Sequence, residues 1–515
     1  MKHLLRWLCV AVAAPLAFPL HGIADPGFRK PESGGRAARV ESGLPAVTRG
    51  DRTLHLSLTQ WMEALAVPGV SIAVIDHHRI VWAKAFGVTT PGPQGSPITP
   101  DTIFQAASIA KPVTAVAVLR QVERGAFNLD DDINSVLQSW KLPGGDLQGE
   151  ERVTIRRLLA HTGGITPGGF QGYPSTAPVP GIVQVLRGMP PANNGAAQVV
   201  SKPGSEVAYS GLGYSLLQLA LEDRLGRPFE AILQDTVLRP LRLGDSTFNQ
   251  NLSAALRARA ARGHLGTGVM VEGGWFVNPE LAAAGLWTTP TDLAKLAIGV
   301  ASSKRGKGHL LSRGLARQML SPHRDEMGLG FVVRGEDAHG YFAHSGGNAG
   351  YFAHFEMLAD TGQGVVIMTN ADAGQALASL IIASVAKEYD WPLADRRQIS
   401  PGRVERVFAQ VDRVANKRVR VDVDPTVLAR YVGKYELADG LLFDIKLVDG
   451  QLRLRLGDQP QFPLLAESET RFFLEAVDAQ ITFVVDAAGQ PTALVLHQGG
   501  RNQQAARIEL DPESP

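Results

Sequence analysis

Apolar and polar positions change rhythm along this chain. Two apolar runs, VSIAVI and IVWAKAFGV, flank Asp76-His77-His78-Arg79. They predict a β-hairpin over 70–88, although its turn lacks the usual glycine. From Ile109 to Leu241 helical patterns dominate. VTAVAVLRQVERG and GYSLLQLALEDRLG each close on a glycine, Gly125 and Gly226, as helix ends do. Gly/Pro-rich loops run between them over 163–181 and 188–204. Alternation then returns: FAHFEML and GVVIMTN flank Ala359-Asp360-Thr361-Gly362, a second hairpin, and an apolar helix is expected over 376–389. Strands at both ends bracketing a helical middle predict an α+β fold with an antiparallel sheet.

The character changes again over 391–424, where Arg, Asp and Val are frequent and periodicity is weak, as in a linker carrying a short helix. Beyond 425 the chain is strand-like. LLFDIKL-VDG-QLRLRL is an alternating hairpin around Asp449-Gly450, and RFFLEA, ITFVVD and TALVLH continue the series. A separate small all-β domain over 425–512 is expected.

Lys2, His3 and Arg6 precede a mostly apolar run from Trp7 to Leu20, and Gly22-Ile23-Ala24 offers small residues for a peptidase. This is the pattern of a secretory signal cut after Ala24, which predicts export to the periplasm or medium. The apolar run is too short to anchor the chain stably in a membrane. Residues 25–50, with Pro26, Gly27, Pro31, Gly34 and Gly35, read as a flexible, extended lead-in. The catalytic body would then occupy 51–390.

Composition narrows the chemistry. In 515 residues, 51 Lys+Arg face 50 Asp+Glu, so no basic field points to nucleic acid. The one cysteine, Cys9, leaves with the signal, which excludes disulfides, thiolate zinc sites and cysteine catalysis in the mature chain. Nothing in the sequence fixes an oligomeric state.

Three short constellations carry candidate chemistry. Ser108-Ile109-Ala110-Lys111 places a hydroxyl and an amine three residues apart, on one face if a helix starts there. A serine hydroxyl needs a base, and a lysine whose pKa is lowered by burial can serve. Tyr209-Ser210-Gly211 puts a phenol between a glycine-rich loop and a helix start, where it could point into a cleft. His344-Ser345-Gly346-Gly347 precedes the strand pair, and its glycines permit close approach and offer N–H donors to an oxyanion. Taken singly, each has an ordinary structural explanation: a helix cap, a buried tyrosine, a surface turn.

In order and spacing, the three resemble the motifs of the serine beta-lactamase-like family, which includes class C beta-lactamases, DD-peptidases, D-aminopeptidases and related esterases. The resemblance spans about 55–390 and includes VPGVSIAVI, TIRRLLAHTGGI (154–165), PGSEVAYSGLGYSLL (203–217), PLRLGDSTF (240–248), AAGLWTTPTDLAKL (283–296) and AHSGGNAGYFAHFEMLADTGQGVVIMTN (343–370). It implies a beta-lactamase-like α/β domain with helices on an antiparallel sheet, an inserted helical domain, and a cleft between them. It also implies Ser108 as nucleophile, Lys111 as its partner, Tyr209 as general base, and an oxyanion hole from the N–H groups of Ser108 and Gly347. His344, Ser345, Gly346 and Gly211 would line the substrate site, and neither metal nor organic cofactor is implied. YVGKYEL (431–437) resembles the start of the lipocalin-like β-domains that often follow such hydrolases.

Two departures shape the expectation. His344 stands where beta-lactamases carry the lysine of Lys-Thr-Gly, which removes a fixed cation for a substrate carboxylate. Gly211 replaces the asparagine of Tyr-x-Asn and so removes a side-chain amide. Both favour a small-molecule ester, amide or short-peptide substrate, hence an esterase or a D-aminopeptidase-like peptidase. The alternatives are a penicillin-binding-like beta-lactamase or DD-peptidase, and a non-catalytic binder of cell-wall peptides. Ala343-His344-Ser345-Gly346-Gly347 also approaches the Gly-x-Ser-x-Gly elbow of α/β-hydrolases, which requires a helix to follow the serine. Metal-dependent hydrolysis is disfavoured, because the thirteen histidines include no His-Glu-x-x-His.

Overall fold

The computed structural model describes residues 34–144, 151–335, 340–392, 400–415, 418, 420–437, 440–457, 461–474, 479–498 and 501–508. The expected signal segment, 1–24, lies outside the described residues.

Among the described residues a six-stranded antiparallel sheet organises the larger, N-terminal body. Its strands are β1 (Gly69–Asp76), β2 (Arg79–Gly87), β3 (Val332–Arg334), β4 (Tyr341–Asn348), β5 (Tyr351–Leu358) and β6 (Gly364–Thr369). They lie in the order β2-β1-β6-β5-β4-β3. The first hairpin turns at His77 and His78, whose φ angles are +50° and +59°. Two consecutive left-handed residues make the tight turn that matches strand twist, here without a glycine. The His78 N–H donates to the Gly362 carbonyl at 2.9 Å, which joins this turn to the 359–362 turn.

Side chains alternate across a strand, so the sheet supports two cores. Helices α1 (Gly34–Ser42), α2 (Leu58–Ala64), α7 (Gly374–Glu388) and α8 (Pro401–Ala415) cover one face. There Val70, Ile72, Val74, Val365 and Ile367 pack with Ala37, Trp61, Leu380 and Phe408. The other face, with Ala73, Ile75, Phe355 and Met368, meets α3 (Ala110–Glu123), α4 (Gly211–Leu225), α5 (Leu281–Ala284) and α6 (Pro290–Lys304). Helix α3 is buried on every side from Ala110 to Leu119, and apolar there apart from Lys111 and Thr114, as suits a central helix.

Two expectations about the flanks need correction. Instead of an extended lead-in over 25–50, the chain from Gly34 forms α1, with Ala37 and Val40 buried. Arg39 fixes it to α7 by donating to Glu388 at 2.7 Å. Its apolar positions come from Ala37, Ala38 and Val40, too few to outweigh the neighbouring glycines and prolines in a sequence reading. In 391–424, expected as a linker with a short helix, α8 runs fifteen residues and buries Val407 and Phe408 in the core shared with α1, α2 and α7.

The C-terminal part is all-β beyond a short helix, Pro425–Arg430. It comprises β7 (Gly433–Leu437), β8 (Leu442–Val448), β9 (Gln451–Leu456), β10 (Phe462–Pro463), β11 (Leu465–Ala466), β12 (Arg471–Leu474), β13 (Ala479–Val485), β14 (Pro491–Gln498) and β15 (Arg501–Ile508). The sheet order is β10-β9-β8-β7-β15-β14-β13-β12-β11. The two outermost strands, β10 and β11, are separated in sequence only by Leu464. The sheet therefore curls until its two edges meet. Tyr431, Tyr435, Phe472 and Phe483 fill its interior, with the Tyr431 and Phe483 rings stacked at 4.1 Å.

Candidate active site

The polypeptide approaches the site through Phe104–Gln105, paired with Trp287–Thr288, and turns through Ala107–Ile109 into α3. Ala107 takes φ +49°, which presents Ser108 at the mouth of the turn. Lys111, on the first turn of α3, brings Nζ to 3.1 Å from Ser108 Oγ, and its ammonium donates to the Ala283 carbonyl of α5 at 2.9 Å. Only 2% of Lys111 is exposed. Burial in this apolar helix lowers its pKa from 10.5 to about 7, since no carboxylate compensates the charge.

Tyr209 reaches the same point from the segment before α4. Its hydroxyl hydrogen-bonds with Ser108, and Lys111 Nζ lies 4.8 Å from its ring centroid. Tyr209 is 37% exposed, so its ring forms an open wall of the cleft. Desolvation nevertheless pushes its phenol up to about 12, with the Ser108 hydrogen bond opposing.

His161 was not given a role by sequence reasoning, although it lies in the TIRRLLAHTGGI segment. It brackets Tyr209 on both sides. Its carbonyl accepts the Ala208 N–H at 2.9 Å, and its Nδ1 accepts the Ser210 N–H at 3.1 Å. Its ring packs on that of Tyr209 at 4.3 Å. A φ of +55° makes this double hold possible. Burial, then the nearby Lys111 and His344, hold its pKa well below 6.5, so it stays neutral and Nδ1 remains an acceptor.

Strand β4 forms the opposite wall. Gly346 is indispensable there: a Cβ would lie 2.1 Å from the Ala106 carbonyl oxygen and 2.8 Å from the Ser108 nitrogen. Gly347, one residue on, is exposed and its Cβ position meets nothing closer than 4.0 Å. Asn348 ties the strand end to the rest of the site, donating to Gln105 at 2.7 Å and to the Ala284 carbonyl at 3.3 Å. His344 points to the Ser108 side of the sheet, 6.3 Å from Tyr209 between ring centroids. Its Nδ1 donates to the Ser345 carbonyl at 2.7 Å. Burial and the nearby Lys111 bring its pKa down to about 3, so it provides no cation. Ser345, on the other face of β4, is exposed and bonds His354 Nδ1 at 2.8 Å.

Gly211, expected to line the substrate site, is covered by Phe170. It is buried, and a Cβ would lie 2.6 Å from the Phe170 ring. The 168–170 loop is stitched over it, with the Gly211 N–H donating to the Gly168 carbonyl at 2.8 Å. The missing side chain thus makes room for Phe170. The elbow reading of Ser345 also fails, because strand β5 follows the serine where the elbow requires a helix.

This constellation accords with comparisons to known proteins. The family described as Beta-lactamase matches residues 57–387, and a domain of unknown function, DUF3471, matches 417–512. Penicillin-binding protein 4* of Bacillus subtilis is 24% identical over 468 residues, covering 85% of this chain and 93% of that protein. The D-alanyl-D-alanine-carboxypeptidase/endopeptidase AmpH of Escherichia coli is 24% identical over 323 residues, covering 58% of this chain and 78% of AmpH. The structure of EstCE1, described as a hydrolase with promiscuous acyltransferase activity, superposes with a TM-score of 0.53 at 20% identity, covering 68% of this chain and 98% of EstCE1. A family match that spans most of the chain, on a sheet-and-helix body with this architecture, makes the chain a member of the Beta-lactamase family.

Proposed function

We propose that the chain is a serine hydrolase that works through an acyl-enzyme on Ser108, as an esterase or D-aminopeptidase-like peptidase. The observation that carries this reading is the buried Lys111, with Nζ 3.1 Å from Ser108 Oγ and a pKa brought to about 7. At neutral pH much of it is an amine with a lone pair beside the hydroxyl. Tyr209, at about 12, is protonated there and cannot take the proton first. The roles implied by the family resemblance therefore shift: Lys111 accepts the Ser108 proton, and Tyr209 passes a proton to the leaving group. The N–H groups of Ser108 and Gly347 would supply the oxyanion hole that the family resemblance implies.

The substrate class follows from the third motif. A β-lactam or a C-terminal D-alanine presents a carboxylate, and His344 is neutral at every physiological pH. Esters and substrates without that carboxylate therefore fit best. A second reading, a DD-peptidase, is favoured by the name of the AmpH relative. The signal-like N-terminus supports export. Among the described residues no helix is long and apolar enough to cross a membrane.

The test uses the chain from Asp25 onward beside its Ser108→Ala variant. Both are assayed with short-chain p-nitrophenyl esters, D-amino-acid p-nitroanilides and a chromogenic cephalosporin. Turnover of the first two, lost in the variant and accompanied by an acyl adduct on Ser108, is expected. Preferred cephalosporin turnover would reverse the substrate assignment, and absence of any turnover or adduct would point to a binding protein.

A further inference from the structure

One ring nitrogen of His344 has no role in the site described so far. A carbonyl oxygen only accepts, so the 2.7 Å contact with the Ser345 carbonyl fixes the proton on Nδ1. With the pKa of the ring brought down to about 3, Nε2 carries no proton across the neutral range. It is a bare lone pair, an acceptor and never a donor. Among the described residues nothing hydrogen-bonds to it, and unlike His161 Nε2 it is not sealed from solvent. A half-desolvated acceptor without a partner costs stability, and a donor arriving with a ligand recovers it.

The position of the ring shows which part of a ligand it meets. His344 lies on the face of β4 turned to Ser108, where Gly346 closes against the Ser108 nitrogen. Its ring centroid is 6.3 Å from that of Tyr209, and the Tyr209 hydroxyl hydrogen-bonds with Ser108. Tyr209 hands a proton to the leaving group in the reaction proposed above. The part of a substrate within reach of both rings is therefore the departing group and not the acyl chain.

The charges nearby select among donors. Lys111 is close enough for its charge to help lower the pKa of His344, and in the neutral range it is partly an ammonium. A second cation on the ligand would meet that charge. A carboxylate would turn oxygens without a proton towards the Nε2 lone pair. A neutral hydroxyl avoids both conflicts.

We propose that His344 Nε2 accepts a hydrogen bond from a second hydroxyl on the leaving alcohol, which makes monoesters of diols and polyols the preferred substrates. This deepens the acyl-enzyme reading above and rests on it. Ser108 Oγ bonds to the acyl carbon and gives its proton to Lys111. The bond from that carbon to the leaving oxygen breaks, and the oxygen takes a proton from Tyr209, which Lys111 restores. The second hydroxyl keeps its proton throughout and orients the leaving group.

Three butyrate esters test this, because all form the same butyryl-Ser108: the monoester of ethylene glycol, its methyl ether, and the ester of glycolate. Acid release gives kcat/KM, divided for each ester by its rate of hydroxide-catalysed hydrolysis to remove intrinsic reactivity. p-Nitrophenyl butyrate, run alongside, establishes the acyl-enzyme independently. The glycol monoester is expected about fivefold above the methyl ether, as for one neutral hydrogen bond, with glycolate lowest. In His344→Phe, and in His344→Leu should the first variant fold poorly, that preference is expected to disappear. In His344→Lys the order should invert, with glycolate highest. A merely structural role would lower all three rates together and leave the preference in place, so a preference that survives in His344→Phe and His344→Leu overturns the subsite. Normal p-nitrophenyl turnover by a wild-type protein that does not discriminate among the three overturns the subsite alone. Absence of both p-nitrophenol release and butyryl-Ser108 overturns the acyl-enzyme reading, and the subsite with it.

Discussion

Raising the pH through 7 should switch acylation on, and Lys111 should be the group that does it. An ordinary lysine, at 10.5, is about 0.3% neutral at pH 8. Lys111, brought to about 7 by burial, is roughly nine-tenths neutral at the same pH. Its shift corresponds to about 5 kcal/mol of disfavour for the ammonium, and it raises the fraction of usable base about 300-fold. The other shifted groups in the cleft titrate elsewhere: His344 at about 3, His161 well below 6.5, Tyr209 at about 12. The profile of kcat/KM against pH, measured with p-nitrophenyl acetate, should therefore fall tenfold per unit below about 7 and level off above it. This limb should vanish from the residual activity of Lys111→Ala. A limb that survives in Lys111→Ala, or a midpoint near 10, would refute the assignment of Lys111 as the base.

Three further outcomes follow from the packing. Gly346→Ala should reduce kcat/KM by at least a hundredfold, because its Cβ meets backbone atoms at 2.1 and 2.8 Å, whereas Gly347→Ala enters open space and should stay within a few-fold. His161→Phe keeps a ring against Tyr209 but leaves the buried Ser210 N–H without an acceptor, so thermal denaturation should show a loss of about 1–3 kcal/mol together with a lower kcat. Glu280, fully buried with neither carboxylate oxygen hydrogen-bonded, has its pKa raised from 4.5 to about 7 by desolvation. The folded state then holds a proton that the unfolded chain has lost. Stability from this group falls as pH rises from 4.5 to about 7 and stays low above. In denaturant melts at pH 5 and pH 8, Glu280→Gln should suppress up to about 3 kcal/mol of that loss. An identical pH dependence in wild type and variant would sink this account.

Much of the architecture was legible in the sequence because local signals and the tertiary outcome agree there. The strand pairs flanking His77-His78 and Asp449-Gly450 alternate clearly, and Gly125 and Gly226 sit where α3 and α4 end. Ser108, Lys111 and Tyr209 were recognisable from family motifs, and the structure brings all three together. What could not be read depends on residues distant in sequence. The carbonyl partner of Lys111 comes from Ala283, and nothing local to Ser-Ile-Ala-Lys announces it. His161 acts on Tyr209 across 48 positions through one ring nitrogen and one carbonyl. Ser345 and His354 are cross-strand neighbours only because Gly350 turns the chain between β4 and β5. Gly211 belongs with these: Phe170, from a loop some forty residues earlier in the chain, occupies its side-chain position, and nothing local to Tyr-Ser-Gly announces that. α1 was missed because its nine residues are too short to hold a helix alone, and it folds through burial against α7.

The curling of the C-terminal sheet has a consequence for how that domain meets other chains. An open sheet of nine strands would end in two rows of unpaired N–H and C=O groups, each a template for a foreign strand. Here Phe462–Ala466 supplies both outermost strands, so the two rows lie side by side along one short seam. Vulnerability to domain exchange is thereby concentrated in five residues. A proteolytic cut at Leu464 would release both edges at once, and would convert a self-contained module into one that recruits strands from its neighbours.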